Sequence, residues 1–370
     1  MKIPRLTEGS LRVLPSGAHS AAHRPEPPAF WERARASFGD SIGLDAGTAN
    51  TNVYVQGRGI VLRQPSVIAI DRKDGAIVAV GREAKRMVGR TPQAITTVQP
   101  VRGGVVADFD GSRRMLRAFL LMLKGRRPWL RPRVVMTVPS SATVVERRAV
   151  QDLVDQVGGR LVKLVEEPLA AALGLGLPIE DASGCMVVNI GGGTTEVAVI
   201  SLGGVVAQTS VRVAGDDMDH AIMDRLHHAH GLLVGQPTAE ALKIGLASLC
   251  QGACGRMTVH GRDMVTGLPR ELEVTASEVA EAIAAPLEQI LMAVEATLSV
   301  TPPELAADVM EGGIMLTGGI SQMPGLDQAI AARTRVPAIV CDEPLLAVAR
   351  GVGRLVEEPG LRRRVQTARR

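Results

Sequence analysis

The chain has 370 residues, 46% of them hydrophobic and 22% charged, a globular composition that excludes disorder and fits about two domains. Four Phe, two Trp and one Tyr leave the core to Val, Leu, Ile, Ala and Met, and 40 Gly suit tight turns and close backbone approaches. A formal charge of +4 excludes a strongly acidic protein and makes no case for nucleic acid, although 36 of the 42 basic residues are Arg. Cys185, Cys250, Cys254 and Cys341 are too few for a disulfide framework in so long a chain, which points to a reducing cytoplasm. No run of 18 apolar residues predicts a membrane span, and residues 1–29 lack the apolar segment of a signal peptide.

Pro4, Pro15, Pro25, Pro27 and Pro28 exclude long regular structure near the start, so residues 1–28 read as a flexible tail. Residues 29–38 fit one short helix with Phe30, Trp31, Ala34 and Phe38 on a shared face, either packed on the protein or lying on a membrane surface. From Ser41 the strands IGLDAG, NVYVQG and GIVLRQPSVIAI follow one another, broken by Gly and Pro. Residues 111–124 predict a helix, RVVMTVPS a buried strand, and residues 142–158 a second helix with Val144, Val145, Val150, Leu153 and Val154 among its apolar positions. KLVEEP reads as a strand, residues 168–176 as a short helix, and MVVNIGGGTTEVAVISLGG as a hairpin around three Gly. This order of strands and helices gives an α/β fold.

An internal repeat divides the chain into related halves. Ile42-Gly-Leu-Asp45-Ala-Gly47-Thr48 resembles Val187-Val-Asn189-Ile-Gly191-Gly192: an apolar strand, Asp or Asn, one residue, then Gly, with Thr and a second apolar strand after it. Gly at such a turn lets backbone N–H groups approach an anion, and Thr48, Asn50, Thr51, Thr194 and Thr195 add polar groups. Two such hairpins facing each other would grip a polyphosphate, and Asp45 would hold Mg²⁺ through water. No GxxxxGK[ST] occurs, so this is not a P-loop. Ile314-Met-Leu-Thr-Gly318-Gly319-Ile320-Ser321 is another strand ending in paired Gly, suited to receiving a base or ribose.

LDAGTANT, QPSVIAI, RPRVV-x-x-VPS, EEPLAAALG, GGGTTEVAVISLGG, VAGDDMD, TAEALKI, GRDMVTGLPR, TPPELAADVM and LTGG-x-x-x-x-GLD, in order from about Ser41 to about Gly353, resemble MreB and Mbl, the bacterial actins. The resemblance implies an actin-like fold, two RNase H-like domains around a nucleotide cleft. It implies an N-terminal extension over 1–40, domain I over 41–182 with a small insertion at about 70–103, domain II over 183–344, and a C-terminal helix returning to domain I with an Arg-rich tail over 345–370. It further implies ATP (or GTP) with Mg²⁺, self-assembly into double filaments on the anionic inner face of the membrane, and work with the cell-wall elongation machinery, in growth or in a specialised stage such as sporulation.

Carried over residue by residue, the resemblance gives Asp45, Gly47, Thr48, Ala49 and Asn50 to the first phosphate loop and Gly191, Gly192, Gly193 and Thr194 to the second. Glu167 would orient the attacking water with Thr194, since phosphoryl transfer needs positioning more than covalent chemistry. Glu240, Ala241, Leu242 and Lys243 would serve the nucleoside, and Gly318, Gly319, Ile320 and Ser321 the adenine side. The chain also departs from the family. Asn189 replaces an Asp that would help hold hydrated Mg²⁺, which predicts slow hydrolysis. Ala46 and Asn52 replace apolar residues, Gly245 a Glu, and Ile320 a Gly, where its branched side chain is expected to crowd the base.

Trp129 and Leu130 lie among Arg in the segment 124–133, matching the family's membrane-insertion loop. His220, His227, His228 and His230 fit a solvated helix end better than a metal site, and Cys250 and Cys254 read as two buried helical residues. A sugar kinase of the same fold would need a sugar-binding constellation that the chain does not show, and a chaperone would need a substrate domain for which no room remains after residue 353.

Overall fold

The computed structural model describes residues 41–123, 131–250, 252 and 254–365. The readings at residues 29–38 and at Trp129 and Leu130 lie outside the described residues. The first hairpin forms as expected: β1 (Ser41–Ala46) pairs antiparallel with β2 (Asn50–Val55), and β2 with β3 (Gly59–Pro65). The third predicted strand is in fact two. Pro65 has no N–H to continue the ladder, and β4 (Ile68–Asp71) joins a separate small sheet with β5 (Ile77–Val80) and β6 (Ile95–Val98). That sheet carries α1 (Arg82–Met87), and the short ribbon β7 (Val101–Arg102) and β8 (Val105–Val106) leads back to the main sheet.

The helix expected over 111–124 is α2 (Phe109–Leu123), burying Met115, Leu116, Phe119 and Leu120. β9 (Arg133–Val138) lies parallel to β1. α3 (Val144–Gln156) opens on a Thr143–Glu146 capping box, two orphan donors satisfied reciprocally. Its Val150, Leu153 and Val154 are buried, but Val144 and Val145 face solvent, 69% and 78% exposed, contrary to the periodicity. β10 (Arg160–Glu166) completes the order β10-β9-β1-β2-β3, and α4 (Glu167–Gly174) follows it with no linker.

The second half repeats the plan. β11 (Cys185–Ile190), β12 (Thr195–Ser201) and β13 (Gly204–Val211) form an antiparallel meander. Then come α5 (Gly215–His230), β14 (Leu232–Leu233), α6 (Gln236–Leu246), the hairpin β15 (Arg256–Asp263) and β16 (Pro269–Thr275), α7 (Ala276–Ser299) and α8 (Pro303–Gly312). β17 (Ile314–Thr317) lies parallel to β11, and after α9 (Leu326–Thr334), β18 (Ala338–Val340) lies parallel to β17. The order β13-β12-β11-β17-β18 thus matches β3-β2-β1-β9-β10: three antiparallel strands, then two parallel ones. The sequence repeat is a structural one.

α10 (Ala347–Glu357) returns the chain to the first sheet and α11 (Pro359–Arg364) ends it. α10 crosses α4 at glycine: a Cβ on Gly351 would overlap the Ala170 carbonyl, and one on Gly174 the Ala347 carbonyl. At the histidine cluster, His230 Nε2 lies 2.7 Å from Glu278 Oε1, and among the described residues no three His, Cys, Asp or Glu converge on a metal position. Cys250 and Cys254 are exposed in the connection after α6 rather than buried on a helix.

Candidate functional site

A cavity of about 440 Å³ lies between the two sheets and is lined from both. One end is made by the turns of the repeat-related hairpins, Gly47–Asn50 and Gly191–Thr194. These turns touch. A Cβ on Gly192 would lie 2.8 Å from Ala49 Cβ, and one on Gly193 2.6 Å from Thr48 Oγ1, so only Gly permits the approach. The β7–β8 turn braces them: Gly104 N–H donates to Thr48 Oγ1 at 2.9 Å, and Gly103 N stands 2.9 Å from the place of a Gly193 Cβ. The sequence reading missed this third turn, although its Gly-Gly pair between Val strands was visible.

Buried carboxylates lie beneath the turns, Asp45 and Glu167 on the cavity wall and Glu196 behind it. Asp45 is placed at the end of β1, where its Oδ2 accepts from Asn52 Nδ2 (2.9 Å) and its Oδ1 from Thr137 Oγ1 (3.3 Å). Burial raises its carboxyl above the usual range, against those two hydrogen bonds. Glu167, the first residue of α4, accepts from Asn189 Nδ2 at 3.1 Å. Burial first, then the charges of Glu196 and Asp45, push its carboxyl well above the usual range, with the Asn189 bond opposing. Glu196 accepts from Ser140 N–H (3.0 Å) and Ser210 Oγ (2.6 Å), which ties the second sheet to the end of β9. Its carboxyl is likewise raised, chiefly by burial.

The far end of the cavity is built from α5, α6 and the turn after β17. Lys243 Nζ pairs with Asp219 Oδ1 and donates to the Gly215 carbonyl, both at 2.7 Å. Burial lifts Asp219 to about 6 despite that partner and raises Asp216 as well. Glu240 lines the cavity and pairs with Lys85 of α1 at 2.7 Å, so one ion pair links helices of the two halves. Ile320, Met323, Leu345, Val348, Ile244 and Ala247 supply apolar lining.

Several expected site residues stand elsewhere. Ala241 is exposed and Leu242 lies in the core of the second half, because on a helix only residues three or four apart share a face. Ser321 is buried and donates to the Gly318 carbonyl, bracing the turn from behind. Gly245 is exposed on α6 and does not line the cavity, so that departure is not at the pocket. Ile320 lines the cavity as well as joining the core. The close backbone approach is at Gly318, whose φ is +88° and whose Cβ would overlap the Ile190 carbonyl, while Ile320 begins a short 3₁₀ turn and joins the core. Asn52, Arg63, Gly215, Asp216 and Asp219 line the cavity without having been singled out as site residues, although VAGDDMD places Asp216 and Asp217 in the first turn of a helix and Asp219 just beyond it.

Residues 39–363 match the family model described as MreB/Mbl protein. The chain belongs to the MreB/Mbl family. It is 45% identical over 338 residues to the cell shape-determining protein MreB of Pasteurella multocida, covering 89% of this chain and 96% of that one. It is 42% identical over 321 residues to the cell shape-determining protein Mbl of Bacillus subtilis, covering 86% and 96%. The crystal structure of MreB 5 of Spiroplasma citri bound to AMPPNP is similar at TM-score 0.81 and 34% identity, over 85% of this chain and 94% of that one. The MamK double helical filament, at 23% identity and TM-score 0.74, shares the actin-like fold over 86% of this chain and 99% of its own.

Proposed function

We propose that this MreB/Mbl-family chain binds ATP with Mg²⁺ in its cleft, polymerises into double filaments, and lies on the inner face of the cell membrane, where it organises cell-wall synthesis and cell shape. The observation that carries this reading is the meeting of two repeat-related glycine turns over a cavity walled by carboxylates at one end and apolar side chains at the other. In this reading domain I spans 41–182 and domain II 183–344. Gly47 to Asn50 and Gly191 to Thr194 present N–H and hydroxyl groups to the phosphates. Glu167 and Thr194 orient the attacking water. Glu240 and Lys243 serve the ribose, and Gly318, Gly319, Ile320 and Met323 the base. A relative of the same family has been crystallised with AMPPNP and with ADP, both adenine nucleotides, which supports ATP.

The residues fit a hydrated divalent cation. Asp45 and Glu167 are buried acids on the cavity wall whose side-chain hydrogen bonds among the described residues come from neutral donors, Asn52 and Thr137 on one and Asn189 on the other. No three carboxylates or imidazoles converge among the described residues, so phosphate oxygens and water would complete the shell around Asp45. When bound, the cation neutralises charge on the transferred phosphoryl group. The Asn189–Glu167 bond favours a second reading within the first, slow hydrolysis: the amide occupies a Glu167 oxygen and lacks the charge of the Asp it replaces.

Membrane attachment is supported by an unneutralised basic corner. Arg133 and Arg160 are register partners at the starts of β9 and β10, and Arg362 stands close enough to Arg133 and Arg363 for their charges, after burial, to lower its own affinity for a proton. Lys163 donates to the Arg362 and Val365 carbonyls. None of these five cations is in an ion pair among the described residues, and anionic headgroups would suit them. Self-association is supported by the tip of the β15–β16 hairpin, where Val265 is 94% exposed beside Met264 and Leu268. Electron microscopy of the purified chain with ATP and anionic vesicles should show paired filaments on the vesicle surface. A dispersed monomer under those conditions, or phosphorylation of a small acceptor, overturns the reading.

A further inference from the structure

The two hairpins carry their polar pairs in opposite order. In the first, Asp45 on β1 faces Asn52 on β2. In the second, Asn189 on β11 faces Glu196 on β12. Each hairpin therefore brings one carboxylate and one amide, swapped between strands. Asn52 stands where the family resemblance expects an apolar side chain, as Asn189 stands where it expects a carboxylate.

The orientation of the Asn52 amide is fixed by its neighbour. An ionised carboxylate only accepts, so the group 2.9 Å from Asp45 Oδ2 is the amide N–H, and the carbonyl oxygen Oδ1 points away from it. That oxygen is buried and has no hydrogen-bond partner, while Asn52 as a whole is only 4% exposed and lines the cavity. A buried acceptor left without a donor is costly in a folded protein. A second acceptor beside Asp45, at the phosphate end of the cleft, cannot itself attract a phosphate oxygen. It suits the protons of water bound to a hard cation.

We propose that Asn52 is a cation-positioning residue: its Oδ1, beside Asp45, accepts from the water shell of the divalent cation that enters with the nucleotide. It supplies on one hairpin part of what Asn189 fails to supply on the other. The proposal rests on the nucleotide-binding reading given above, and it goes beyond it by assigning this chain a way to hold Mg²⁺ that the loss of the Asp at 189 would otherwise weaken.

The test is a Mg²⁺ titration of the full chain saturated with a fluorescent ATP analogue, repeated with Mn²⁺ followed by electron paramagnetic resonance. Asn52→Leu, close in size and apolar, should raise the midpoint for either cation about fivefold relative to the parent, the worth of one hydrogen bond. Asn52→Asp, which keeps an oxygen at this position and adds charge, should bind Mn²⁺ at least as tightly as the parent. Equal midpoints for the parent and Asn52→Leu overturn the proposal. So does an Asn52→Leu loss of nucleotide affinity that is the same with and without Mg²⁺, since Asn52 then acts only by holding Asp45. A parent chain that binds no nucleotide overturns the nucleotide reading itself, and the proposal with it. If Asn52→Leu does not fold, a weaker Mn²⁺ signal for Asn52→Asp than for the parent overturns the proposal on its own.

Discussion

Asn189 presents a hydrogen-bond donor to Glu167 where a second carboxylate would present charge to a cation. Asn189→Asp should therefore raise phosphate release by about tenfold, equivalent to about 1.4 kcal/mol off the barrier, and only with Mg²⁺ present, because without the cation the new acid would push Glu167 further from ionisation. A malachite-green assay with and without Mg²⁺ checks this, and an unchanged rate counts against the role given to Asn189. Asp219 makes a separate prediction. Burial pushes its carboxyl up to about 6 in the folded chain from an ordinary 3.8, so the folded state holds its proton more tightly than the unfolded chain does. Stability from this group is greatest below about pH 4 and is lost as pH rises through 6. Asp219→Asn should flatten the melting-temperature curve between pH 4 and 6 in scanning calorimetry, and an unchanged slope would show that Asp219 does not set it.

At this scale the legible part of the site was whatever local chain geometry dictates. Gly47, Gly191 and Gly193 were legible because the same strand–Gly–Thr turn recurs in both halves of the sequence. The misplaced Ala241 and Leu242 came from carrying over a whole segment where helical periodicity should have decided. Glu240, Lys243, Ile244 and Ala247 line the cavity at spacings i, i+3, i+4 and i+7. Asp216 and Asp219 share a face of α5 by the same rule.

Among the elements, the crossing of α4 and α10 was the least legible. A C-terminal helix returning to the first half was expected, but not that Gly174 and Gly351, so far apart in the chain, meet backbone to backbone. Glycine's purpose there depends on a partner that sequence order hides. The crossing bears on the site because α4 begins at Glu167, so whatever displaces α4 displaces that carboxylate. Gly351→Ala should destabilise the chain by about 1–3 kcal/mol through overpacking, seen as a lowered melting temperature together with weaker nucleotide binding. Gly360→Ala on α11, whose Cβ would meet only the far end of the Arg364 side chain at 3.4 Å, is the neutral control. Equal melting points for the two variants would show that the helix crossing tolerates a methyl group.

For the molecule as a whole, the sequence repeat gave the architecture correctly, since two strand-turn-strand patterns 144 residues apart became two sheets of identical order. What it could not give was how the halves meet. Ser140 N–H on Glu196 and the contact of Gly192 with Ala49 join them near the glycine turns, and Lys85 on Glu240 joins their helices. The Lys85–Glu240 pair is half exposed, which limits its strength to that of a surface ion pair. Lys85→Ala should thus speed nucleotide release by no more than about fivefold, measured by chasing a fluorescent analogue with ATP. Release slower than the parent's would mean that the pair holds the cleft open rather than shut.

Lysine is scarce here, and the described lysines are unevenly used. Lys85 spans the two halves, Lys243 braces the far end of the cavity, and Lys163 holds the carbonyls of Arg362 and Val365. Arg does most of the ordinary work of surface charge. Reagents that acylate amines, including the common cross-linkers and dye esters, would accordingly reach exposed Lys73 before the paired lysines and leave most of the basic surface unmarked. The exposed thiols of Cys250 and Cys254 are the safer place to attach a probe.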